Sequence, residues 1–229
     1  MLPLVKDLKW KEVSQGLADN PSLLSFRDER GRNWLHLACA VKVKERGLRV
    51  SDSLRTAEVL LDSGLDVNAE AFREPDFKAT PLWYSIAFGQ NLKLAEFLLS
   101  RGSVPHYCMW AAAYNNDAPA IRLLAANGAD INGTAEDATP FLFAIQWSRF
   151  AAAEQLLKLG ADVNAQNSKE VTALHCLLKK DSDKKHFRML MDYGARGDIK
   201  DANGQTAAEI MSRKRDPDFR KMAKEFEGR

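Results

Sequence analysis

The sequence predicts an all-α solenoid, a stack of helix–turn–helix units, and three observations carry that expectation. The segment Thr139–Asn164, TPFLFAIQWSRFAAAEQLLKLGADVN, holds two helix-like apolar runs followed by Gly160-Ala161-Asp162, and it recurs with losses and insertions through almost the whole chain. A leucine stands four residues before each of five glycines: Leu60, Leu98, Leu124, Leu156 and Leu190 before Gly64, Gly102, Gly128, Gly160 and Gly194. The steps are 33 residues from Thr139 to Thr172 and 34 from Thr172 to Thr206, and self-similarity at such a period marks a repeat array rather than a single globular core. A hydrophobic content of 45% is enough to bury a continuous core between neighbouring helix pairs.

The turns ahead of the first apolar runs read Asn33-Trp-Leu-His36, Thr80-Pro-Leu-Trp83, Thr139-Pro-Phe-Leu142 and Thr172-Ala-Leu-His175. This pattern resembles the ankyrin repeat, with its T-P-L-H-x-A signature and two-helix unit, over roughly residues 28–211. The resemblance implies β-hairpin or loop fingers between units, and a concave groove formed by the fingers and the first helices, where partners usually lie.

Taken in order, residues 1–27 read as an N-terminal helical cap. One amphipathic run (Leu4, Leu8, Val13, Leu17) is closed by Asn20-Pro21, and Trp10 reads as half-buried on this cap. Repeats follow through residue 202, at 28–68, 79–102, 103–132, 137–164 and 170–198. The first carries ten extra residues, since Asn33 to Gly64 spans 31 against 21 from Thr139 to Gly160. They fall around residues 41–49 as either a longer first helix or a projecting loop, made basic by Lys42, Lys44, Arg46 and Arg49. The second repeat is preceded by a long finger carrying Phe72 and Phe77, one expected to tuck inward and the other to offer a contact. Only Ser103-Val104-Pro105 separates Gly102 from His106, so a finger is missing there. Residues 203–229 read as a degenerate repeat and cap helix with Phe219, Met222 and Phe226.

Charge and composition exclude several function classes. A net charge of +2 points to neither a nucleic-acid nor a membrane partner, and no uncharged apolar run approaches the ~18 residues of a membrane span. Residues 1–7 lack a basic stretch followed by an apolar one, so no secretory signal is expected. Three cysteines without a CxxC suit a reducing compartment, and the expected location is cytoplasmic. Phosphate-loop, dinucleotide, zinc-protease and nucleophile-elbow motifs are absent from the sequence, so no enzyme, cofactor, metal or small-molecule substrate is expected. His106 and His186 have no ligand partners at zinc spacing, and Cys39, Cys108 and Cys176 read as small buried groups. By resemblance, His36 and His175 hold turns through hydrogen bonds to backbone.

What remains is protein binding. Eight residues past each turn anchor lies a position that the resemblance places toward the groove, here Val41, Phe88, Tyr114, Trp147 and Lys180. Tyr84, Trp110, Phe143 and Phe150 stand where the family has buried leucine, so the core slots are filled and Phe88, Tyr114 and Trp147 are left as an exposed aromatic ladder. Desolvated aromatics of this kind supply ~2 kcal/mol or more each at interfaces. With Lys179, Lys180 and Phe77 they form the candidate partner site. Two alternatives stand beside a general binding module: an accessory, chaperone or inhibitor subunit of one enzyme, and nucleic-acid binding through the basic insert and C-terminal cap.

Overall fold

Each apolar run in the sequence becomes a short helix, and each glycine after a second run becomes a left-handed stop. In a computed structural model, which describes residues 1–74, 77–135 and 137–227 (without the side chains of 73, 74, 77 and 227), the chain is mostly helical. It divides into two units, Met1–Ala112 with Ala126–Ala129, and Ala113–Ala125 with Asp130–Arg229.

In the first unit the order is α1 (Leu2–Lys6), α2 (Trp10–Asp19), a 3₁₀ turn (Pro21–Ser25), α3 (Trp34–Cys39), α4 (Val50–Asp62), β1 (Ala71–Glu74), β2 (Phe77–Ala79), α5 (Pro81–Tyr84) running into a π-helical turn (Ser85–Gly89), and α6 (Leu92–Ser100). Then comes α7 (Cys108–Tyr114), followed by α8 (Ala118–Ala126), α9 (Pro140–Gln146), α10 (Phe150–Lys158), α11 (Ala173–Lys179), α12 (Lys184–Asp192), α13 (Ala207–Ser212) and α14 (Pro217–Glu227). The antiparallel β1–β2 hairpin is the finger ahead of the second repeat, and shorter bridges mark others at Ala135–Ala138 and Lys200–Thr206.

Leu60, Leu98, Leu124, Leu156 and Leu190 are all fully buried, and the glycines that follow have φ from +81° to +101°, a region costly for residues with a Cβ. The turn histidines act as the resemblance implies. His36 Nε2 lies 3.0 Å from the Ala69 carbonyl and 3.3 Å from that of Ala79, one on each side of the hairpin, and His175 Nε2 lies 3.1 Å from the Gln205 carbonyl. A second fastening comes from asparagines four residues past the glycines. Asn68 donates to the Gly102 carbonyl and accepts from Val104 N–H; Asn132 does the same with Gly160 and Asp162, and Asn164 with Gly194 and Arg196. Each asparagine thus ties its repeat to the backbone of the following one.

Several expectations need correcting. The N-terminal run is not one helix, because Leu8 has a φ of 53° and separates α1 from α2 while burying its side chain. The 41–49 insert is a loop of turns and not a helix extension; Val41 and Val43 are its buried anchors, so Val41 is no groove residue. Trp110, Phe143 and Phe150 are half-buried rather than core; of that set only Tyr84 is buried, 1% exposed. The three half-buried rings lie at the margin of the core, Phe150 stacked on His186 with ring centroids 3.4 Å apart, while Phe141 and Phe187 are the fully buried phenylalanines.

Candidate functional site

The candidate site begins with how the first helices end. A left-handed residue closes each of four of them: Gln90, Asn116, Ser148 and Asp181, with φ between +46° and +56°. Ser148 N–H donates to Ile145 O and Arg149 N–H reaches back to Ala144 O at 2.8 Å, satisfying carbonyls that a helix end leaves orphaned. Just before these stops Phe88, Tyr114, Trp147 and Lys180 are exposed.

Counted from these stops, the aromatics do not share one position. Trp147 and Lys180 stand one residue before the stop, Phe88 and Tyr114 two. The shift has two local causes. In the second repeat the π-helical turn adds a residue to the helix, and in the third α7 starts at Cys108, one residue later than an anchor at His106 would set it. All three rings are nevertheless open to solvent, with Phe88 at 46%, Tyr114 at 47% and Trp147 at 52% exposure.

In the second unit Tyr114 and Trp147 meet edge to face, ring centroids 5.7 Å apart, and both touch Phe143, at 6.4 and 6.1 Å. Arg149 lays its guanidinium over Tyr114 at 5.3 Å, and its Nε is buried without a hydrogen-bond partner. The Lys180 ammonium donates to the Gln146 carbonyl and, at 3.1 Å, to Ser148 Oγ, so it sits beside Trp147; Lys179 is exposed. Arg149 and Phe143 are the members that sequence reasoning missed, since nothing in the repeat pattern distinguishes a ring at the core margin from one within it.

In the first unit, Phe88 packs against Trp83 and Tyr84 at 5.4 and 5.5 Å. Phe72 is half-buried under the Arg30 guanidinium, and the Phe77 side chain lies outside the described residues. Most of the basic insert is electrically compensated: Lys42 pairs with Glu45, Arg49 with Asp52, and Arg46 with Asp7 while also donating to the Lys6 carbonyl, and Lys44 alone of its four cations forms no ion pair among the described residues. Beside it lies an open cavity of about 430 Å³ bordered by Phe26, Leu37, Asp28 and Arg32, the last two joined at 2.7 Å.

The histidine and cysteine chemistry is structural. Burial holds His36 down to about 4, and burial pushes the Cys39 and Cys108 thiols well up and Cys176 to about 11, so the thiols stay protonated at neutral pH. Among the described residues no cluster of three metal-ligating side chains occurs, and no helix is long and apolar enough to cross a membrane.

Paired helices closed by left-handed glycines, with fingers between repeats and exposed residues at the ends of the first helices, define a helix–turn–helix repeat protein. The comparisons identify the repeat. Residues 82–167 match the protein-family model described as "Ankyrin repeats (3 copies)". Inversin of Mus musculus is 29% identical over 128 residues, 55% of this chain and 12% of that protein; Inversin of Homo sapiens is 30% identical over 125 residues, 54% and 12%. The chain therefore spans about an eighth of the length of these relatives. Among solved structures, the human ASB11 ankyrin repeat domain is similar at a TM-score of 0.72 and 21% identity, covering 91% of this chain and 90% of that one. The ankyrin repeat domain of Bcl-3 is similar at 0.73 and 18%, covering 91% and 92%. An ankyrin repeat domain from Acinetobacter baumannii AYE follows at 0.66 and 21%, covering 85% and 97%. The chain carries ankyrin repeats, and its fold is that of an ankyrin repeat domain.

Proposed function

We propose that this chain is a non-catalytic protein-binding module whose partner packs on the aromatic residues at the ends of its first helices, Tyr114 and Trp147 foremost. The observation that carries the reading is their exposure, 47% and 52%, in direct ring contact, on a scaffold whose own core is already filled. Exposed large aromatics cost solubility and are retained where a partner covers them. A rigid repeat surface adds to this, because a preformed face loses little conformational entropy on binding. Phe88 offers a second apolar contact on the first unit. Three buried, unpaired thiols suit a cytoplasmic setting.

The test replaces Phe88, Tyr114 and Trp147 with alanine and compares partner recovery from source lysate with that of the unaltered chain. Loss of the recovered protein, with an unchanged circular dichroism spectrum, is the expected result. Undiminished recovery by the folded triple variant would refute the reading.

A further inference from the structure

We propose that the face carrying Tyr114 and Trp147 receives an acidic polypeptide segment, in which carboxylates flank a large apolar side chain that packs on the two rings. The proposal rests on the protein-binding reading above and specifies the partner's chemistry. Its apolar half is the continuous patch of Tyr114, Trp147 and Phe143, each ring within 6.4 Å of the other two.

The charged half comes from the cations that adjoin the aromatic patch. Elsewhere in this unit Lys158 pairs with Glu154, Lys184 with Asp216 and Asp218, Lys185 with Asp183, Arg196 with Asp198, and Lys214 with Asp181, whereas others such as Arg188, Arg215 and Lys221 form no ion pair among the described residues. Arg149, Lys179 and Lys180, the cations beside or next in chain to the aromatic patch, form no ion pair among the described residues. Arg149 rests on the face of Tyr114, and Lys180 on a carbonyl and a hydroxyl. Positive charge without an ion-pair partner thus adjoins the apolar patch, and it favours approach and docking of negative side chains. A guanidinium stacked on a ring keeps its edge free for a carboxylate, so Arg149 can accept that partner without leaving Tyr114. Single-stranded nucleic acid also combines stacking with phosphate charge. It is disfavoured because the cations number three, on a chain of net charge +2, and because the two best exposed rings meet edge to face rather than as a row of parallel platforms.

The experiment pans a phage library of fully random 12-residue peptides on the full chain. Enriched sequences are then synthesised with fluorescein and titrated by anisotropy. Enrichment of peptides rich in Asp and Glu around Phe, Trp or Leu is expected. Their affinity should fall about fivefold in an Arg149→Gln/Lys179→Gln variant, and raising salt should weaken the unaltered chain more than that variant. A Tyr114→Ala/Trp147→Ala variant should lose about tenfold or more. Enrichment of neutral or basic peptides that still need Tyr114 and Trp147 would overturn the acidic partner while leaving the protein-binding reading intact. No enrichment, or binding indifferent to both variants, overturns the proposal as well, and lysate recovery then decides the broader reading on its own. Tighter binding of a fluorescein-labelled oligo-dT than of the best peptide would replace the proposal with nucleic-acid recognition.

Discussion

Asn33→Thr should make the protein more stable. Asn33 is the N-cap of α3, and its Oδ1 accepts the His36 N–H at 3.1 Å. The same Oδ1 lies 2.7 Å from His36 Nδ1, which already accepts the Asn33 N–H at 3.2 Å, so two acceptors face each other. Meanwhile Asn33 Nδ2 is buried with no partner. Turning the amide over would aim Nδ2 at Nδ1 but set an NH₂ group against the His36 N–H. One amide end cannot both donate and accept; one hydroxyl can. The chain holds both halves of the remedy: Thr172 Oγ1 sits 2.8 Å from His175 Nδ1, and Thr139 Oγ1 accepts the Leu142 N–H at 3.2 Å. An orphaned buried donor costs ~1–3 kcal/mol, against which asparagine's better N-cap rank returns a few tenths, leaving a gain of about 1 kcal/mol. In a chain of this size that is about 2–4 °C in Tm. Urea unfolding and calorimetry read the change, with Thr172→Asn as the reciprocal variant, expected to cost about as much as Asn33→Thr gains. An Asn33→Thr variant no more stable than the parent, together with a neutral Thr172→Asn, would refute the reasoning.

Acid should find His36. Its folded-state pKa is lowered from 6.5 to about 4, so between those values the unfolded chain binds the proton that the folded one resists, and stability present above 6.5 is lost as pH falls toward 4. The loss is ~3 kcal/mol for this one group, measurable as a falling urea midpoint whose acid limb flattens in His36→Gln. Gly89→Ala should destabilise by ~2 kcal/mol or more in the same assay, because a Cβ there would stand 2.2 Å from the Cys39 carbonyl oxygen, and backbone must move to admit it. Asn164→Ala removes the bonds to Gly194 and Arg196 and should cost about 1–2 kcal/mol, with faster hydrogen exchange at the Arg196 amide as its local sign. Trp147→Ala, by contrast, should leave the urea midpoint within ~0.5 kcal/mol of the parent, since the ring is exposed.

The sequence by itself determined the repeat frame. Leucine four residues before glycine, and threonine or asparagine opening each first helix of the repeats from 28 to 102 and from 137 onward, are demands of helix packing and helix termination within one unit, so they show in the spacing of letters. The asparagines at 68, 132 and 164 were equally visible as a recurrence, but their hydrogen-bond partners lie 28 to 36 residues away and only the fold brings them together. That Phe88, Tyr114 and Trp147 would be exposed was legible from a position count, although the count itself slipped by one wherever a π-helical turn or a late helix start changed the register. The tertiary structure alone decided which charges matter. The insert at 41–49 reads as basic, yet three of its four cations are paired, with Asp7, Glu45 and Asp52, while Arg149, unremarkable in the sequence, stands without a carboxylate over an exposed ring. Charge on a letter is a property of one residue, whereas compensation depends on which carboxylate folding carries to within 4 Å of it.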